Sequence, residues 1–106
     1  MKVTLVERIQ ILTLLPEKGD LKTLRIVKDI ESKLVITQDE IVNYNFKLTE
    51  DGKAYSWNEE GRAATLDVEF TNLELDEIKK VLKALETKQE LSKSLLDLYI
   101  KFVENN

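Results

Sequence analysis

From Asp20 to Ile36 the apolar residues Leu21, Leu24, Ile26, Val27, Ile30 and Leu34 return at helical spacing. At about 100° per residue they cover roughly 220° of a helix circumference. Lys22, Arg25, Asp29 and Lys33 fill most of the remaining sector. A surface helix needs an apolar stripe of only about 100°. The pattern therefore predicts a central helix covered on more than one side.

The flanking segments carry their own start and stop signals. Thr4 and Glu7 have capping-box spacing ahead of Leu5, Ile9 and Leu12, and Pro16 with Gly19 ends that helix. Asp20 then caps the central helix, which should run to about Leu34. Thr37 and Glu40 repeat the box and open a short third helix through about Tyr44. There the period drops to 2. Tyr44, Phe46 and Leu48 alternate with polar residues, Asp51-Gly52 is a hairpin signal, and Tyr55 and Trp57 alternate on the return strand. Asn58 to Arg62 reads as a loop, followed by a third strand with Leu66, Val68 and Phe70 on one face.

Thr71 and Glu74 form a third box, ahead of Leu75, Ile78, Val81, Leu82 and Leu85. A polar connector then leads to a last helix, capped by Ser92 and carrying Leu95, Leu96, Tyr99, Phe102 and Val103. A short link between two amphipathic helices implies an antiparallel pair. The expectation is a single α+β domain over residues 1–106, in the order α-α-α-β-β-β-α-α. About five helices would surround a three-stranded antiparallel sheet.

Composition narrows the chemistry more than the fold. With 42% hydrophobic and 34% charged residues, the chain reads as soluble and globular. No apolar run approaches the roughly 18 residues of a membrane span. Glu7, Arg8 and Gln10 interrupt the apolar run near the N-terminus, so no signal peptide is expected and the cytoplasm is the expected location. The chain has neither cysteine nor histidine. That excludes thiol and imidazole nucleophiles, disulfides and zinc–thiolate sites within the chain. The net charge of −4 resides in the middle third, where residues 37–72 hold three basic side chains against eight acidic ones.

Adjacent acids at Asp39/Glu40, Glu50/Asp51 and Glu59/Glu60, in or beside turns, are the candidates for acid–base catalysis or cation binding. Helix first turns and the hairpin account for Asp39, Glu40 and Asp51, and the EF-hand spacing is absent. Gly19, Gly52 and Gly61 lie too far apart for a phosphate-binding loop, so no metal or other cofactor is expected. Three helices and a hairpin also suggest a winged-helix DNA reader. Its reading helix, Thr37 to Tyr44, would offer Gln38 and Asn43 to bases but carries two acids and no basic residue. Phosphate neutralisation drives much of DNA affinity, so nucleic acid is a poor partner. Tyr55 and Trp57, beside Glu59 and Glu60, instead suggest an aromatic protein interface with an acidic rim. Leu75, Ile78, Leu82 and Leu85 suggest either core packing or a homodimer seam.

The stretches VEFTNLELDEIKKVLKALE and ELSKSLLDLYIKFVE resemble the C-terminal part of small acidic proteins of tailed phages and prophages. That resemblance covers about a third of the chain and implies a phage-encoded accessory or assembly protein in the host cytoplasm. The expected function is thus non-enzymatic: a protein–protein interaction or assembly module, with a protein partner or a second copy of itself. A winged-helix-like DNA-binding regulator is the alternative.

Overall fold

Asp20 caps the central helix, α2 (Leu21–Leu34), its Oδ1 accepting the Thr23 N–H at 2.7 Å. In this computed structural model, which describes residues 1–105, Val27, Ile30 and Leu34 of α2 are buried and Ile26 packs beside them. The buried arc is narrower than the sequence pattern, because Leu21 in the first turn is 67% exposed. Helices α1 (Leu5–Leu14) and α5 (Asn72–Thr87) pack against α2. Ile11 and Leu15 enter the core from one side, Ile78 and Leu82 from the other. Each such side chain contributes about 1.5–3 kcal/mol by burial.

The chain closes through a 3-10 turn (Lys93–Leu95), α6 (Leu96–Tyr99) and a π-turn (Ile100–Glu104). This segment delivers Leu98 and Phe102 into the same core, with Phe70 edge-on to Phe102 at 5.9 Å. Ser92 stands before the turn without a side-chain cap.

All three capping boxes form. Thr4, Thr37 and Thr71 each accept the N–H three residues on, and Glu7, Glu40 and Glu74 each accept the N–H of the capping threonine. Every one of these glutamates also meets a cation from a distant element. Glu7 accepts from Lys101 at 2.9 Å, Glu40 from Arg8 at 2.6 Å and Glu74 from Lys33 at 2.5 Å. Local signals for helix starts thus double as tertiary ties.

The fold is α+β, but the three-stranded sheet expected from the sequence is replaced by two antiparallel ladders of two strands each. One is the hairpin of β2 (Lys47–Leu48) and β3 (Tyr55–Ser56). In the other, β4 (Thr65–Asp67) pairs with β1 (Lys2–Thr4), placing Val3 opposite Leu66. The third strand leaves the hairpin because β1 offers it a buried partner: Val3 and Val68 both lie in the core. The loop expected from Asn58 to Arg62 is instead helix α4 (Glu59–Ala63), capped by the Asn58 side chain on the Gly61 N–H at 3.0 Å. With α3 (Gln38–Asn43), six α-helical segments occur among the described residues.

Candidate interaction surface

The hairpin that follows α3 is set by its two ends. Tyr44 ends the helix, and Asn45 takes a left-handed conformation (φ 51°), which asparagine tolerates better than most side chains. The reversal lets the Phe46 N–H donate back to the Ile41 carbonyl at 3.0 Å. At the far end, Asn58 donates its backbone N–H to the Tyr44 carbonyl at 2.8 Å and its Nδ2 to the Asn43 carbonyl at 3.0 Å. One asparagine therefore caps α4 while closing the base of the hairpin onto α3.

Within this frame Phe46 stacks against Tyr55 (centroids 4.9 Å apart, planes at 21°) and against Trp57 (5.8 Å, 12°). Stacking of this kind adds about 0.5–1.5 kcal/mol per pair beyond burial. Trp57 is half-buried and rests on Gly61, where an added Cβ would stand 3.0 Å from its Cδ1. Its indole N–H is buried without a hydrogen-bond partner among the described residues. Tyr55 is 48% exposed, and Leu48 (55%) and Val42 (68%) expose apolar surface on the same hairpin and on α3. A shallow hollow of about 220 Å³ beside Phe46 and Tyr55 is lined by Ile9, Leu12 and Ile36.

The acids around the aromatics are exposed: Glu50 and Asp51 at the hairpin turn, Glu59 and Glu60 in the first turn of α4. The Thr49 hydroxyl and the Lys53 N–H hold the Asp51 carboxyl below its usual range. Gly52 takes the positive φ (69°) that the turn needs. Of the sequence-derived site residues, Tyr55 and Trp57 thus share one stack with Phe46. Glu59 and Glu60 stand on the neighbouring short helix. Phe46, Leu48 and Val42 were not singled out by sequence, though the period-2 pattern put Phe46 and Leu48 in register with Tyr44.

The remaining acid pairs do not converge. Glu40 is held by Arg8, which lowers its carboxyl from 4.5 to about 2. No group of three or more acids positioned to hold a metal occurs among the described residues. None of the helices there is long and apolar enough to cross a membrane. Comparison with protein-family models, with curated proteins and with solved structures returns no match to this chain.

Proposed function

We propose that this chain is a non-enzymatic protein–protein interaction or assembly module that engages its partner through the aromatic hairpin. The observation that carries this is the half-exposed Tyr55, stacked on Phe46, which stacks in turn on Trp57, with exposed Leu48 opposite Tyr55 on the paired strand and exposed Val42 on α3. Interface anchors are enriched in aromatics set in a polar rim. The rim here is acidic, with Glu50, Asp51, Glu59 and Glu60 exposed, so the partner surface is basic. That charge disfavours packing two hairpins face to face in a homodimer.

The test is retention of a partner from native cell extract on immobilised wild type and on a Tyr55→Glu/Leu48→Glu variant. A partner that is lost with the variant, while circular dichroism shows the fold retained, supports the proposal. Equal retention by both proteins overturns it.

The order α1-α2-α3-β2-β3 is also the order of a winged-helix DNA reader. Against it, α3 carries Asp39 and Glu40 in its first turn and no basic residue. Binding to duplex DNA that falls steeply with salt would favour that alternative.

A further inference from the structure

Leu21 stands in the first turn of α2, on the side of that helix opposite the buried Val27, Ile30 and Leu34. Leu24, Arg25 and Lys28 follow it at spacings of three, four and seven, which puts all four on one helix face. Together with Asp29 they line an open hollow of about 420 Å³. Lys22 is exposed beside it. Residues 18–29 carry four basic side chains against two acids, whereas residues 37–72 carry three against eight. The α2 face is thus an apolar patch with a basic border, the charge complement of the hairpin.

The two surfaces lie far enough apart for one molecule to use both. Arg8 fastens the end of α2 to the start of α3, so the hairpin leaves from the Leu34 end. Leu21 is at the other end of this 14-residue helix, about 20 Å along its axis. Like surfaces repel: two hairpins bring acids together, and two α2 faces bring Arg25 and Lys28 together. Charge favours the pairing of unlike surfaces.

Resting on the reading of the hairpin as the contact surface, we propose that its partner is a second copy of this chain, which receives the hairpin on its α2 face. Leu48 and Tyr55 of one copy meet Leu21 and Leu24 of the next. The rim of Glu50, Asp51, Glu59 and Glu60 meets Lys22, Arg25 and Lys28. Such a contact uses a different patch on each copy, so it repeats head to tail into a ring or an open chain.

The test is sedimentation velocity of the full chain from about 10 μM to 1 mM, at about 50 mM and 500 mM salt. Wild type should gain mass with concentration beyond twice the monomer, and association should weaken about tenfold or more at the higher salt. Leu48→Glu/Tyr55→Glu removes the hairpin surface and Leu21→Glu/Arg25→Glu the α2 face. All four positions are exposed, so circular dichroism should show both variants folded. Each variant alone should stay monomeric, and an equimolar mixture should stop at a 1:1 pair. A wild type that stays monomeric throughout, assembly that salt leaves unchanged, a variant that assembles alone as wild type does, or a mixture that fails to pair overturns the proposal. If wild type stays monomeric while cell extract still yields a partner that the hairpin variant loses, the hairpin reading stands and the second copy is removed as its occupant. Amide shifts of wild type on dilution, expected at both residues 21–28 and residues 48–57, decide the matter even if a variant fails to fold. Shifts at one surface only overturn the proposal.

Discussion

Arg8 grips the carboxylate of Glu40 with both terminal nitrogens, Nη1 to Oε2 at 2.6 Å and Nη2 to Oε1 at 2.9 Å. The same guanidinium donates through Nε to the Leu34 carbonyl at 3.1 Å and through Nη2 to the Val35 carbonyl at 2.6 Å. These are carbonyls at the end of α2, where a helix leaves acceptors without intrahelical donors. Glu40 meanwhile accepts the Thr37 N–H at the start of α3. One side chain from α1 thus joins the end of one helix to the beginning of the next and sets the direction in which α3 and its hairpin leave the core.

Because Arg8 is only 3% exposed, the pair should behave unlike a surface salt bridge. Arg8→Met removes donors to two carbonyls and one carboxylate, and is expected to cost about 3 kcal/mol in urea denaturation. Glu40→Gln leaves the guanidinium buried but still bonded to Leu34 and Val35, and should cost about 2 kcal/mol. The double variant should lose less than the two single losses together, by about 1 kcal/mol or more. A loss below about 1 kcal/mol for Arg8→Met would place the pair among ordinary surface bridges.

The same pair makes stability depend on acid. The Glu40 carboxyl titrates at about 2 when folded, against 4.5 without its partners. The unfolded chain therefore takes up this proton at the higher pH. Its stabilisation is complete above about pH 5 and drains away as pH falls through 4.5 toward 2. Glu74 moves in the same direction: burial pushes its carboxyl up, but the Lys33 ammonium and the Thr71 N–H outweigh that and leave it lowered. Urea midpoints measured from pH 6 to pH 2 should fall steadily below pH 5. The fall should be shallower in Glu40→Gln, and an identical slope in both proteins would remove Glu40 as a cause.

What the sequence shows of this molecule is what depends on near neighbours. A threonine and a glutamate three residues apart announce a helix start whatever the rest of the chain does, and all three such pairs form. Asp20, Pro16 and Gly19 are similarly local, and the Asp51-Gly52 turn forms where expected. The pairing of Val3 with Leu66 joins segments more than sixty residues apart. Nothing within Lys2–Thr4 distinguishes a strand from the lead-in to a helix. The α4 segment hides for a different reason: Gly61 reads as a helix breaker, but in the fold it packs so close to Trp57, Tyr44 and Leu5 that a Cβ there would be crowded. Arg8 and Glu77 look like members of a solvated face, and only the assembled fold buries them. At the candidate interface, the aromatics were legible as a stripe. Which of them stays exposed depends on how α4 closes over Trp57.

Gly61 is therefore a sensitive point for the hairpin. An added Cβ would stand 3.0 Å from Trp57 Cδ1, 3.0 Å from Tyr44 Cβ and 3.2 Å from Leu5 Cδ1. Gly61→Ala gains about 1 kcal/mol of helix propensity, which offsets part of the crowding. Gly61→Val adds more bulk without that gain, and should cost about 1–3 kcal/mol. Its tryptophan fluorescence should also shift, as Trp57 is the only indole in the chain. Unchanged emission with unchanged stability would mean that the neighbours yield freely.

Binding and folding should separate at the exposed edge of the same surface. Val42 and Leu48 are 68% and 55% exposed, so neither makes much of the core. Val42→Gln keeps a residue that suits a helix, and Leu48→Thr keeps one that suits a strand. Each should change the folding free energy by no more than about 0.5 kcal/mol. If the hairpin is the contact surface, the pair of substitutions should weaken partner binding about tenfold or more, because both remove exposed apolar area that the partner would bury. Phe46→Ala should do the opposite in proportion, lowering stability by about 3 kcal/mol as the stack on Tyr55 and Trp57 collapses. Titration calorimetry and urea denaturation on the same three proteins read both quantities. Full affinity in the Val42→Gln/Leu48→Thr protein would move the contact surface away from this edge, since nothing in the fold would have changed to compensate.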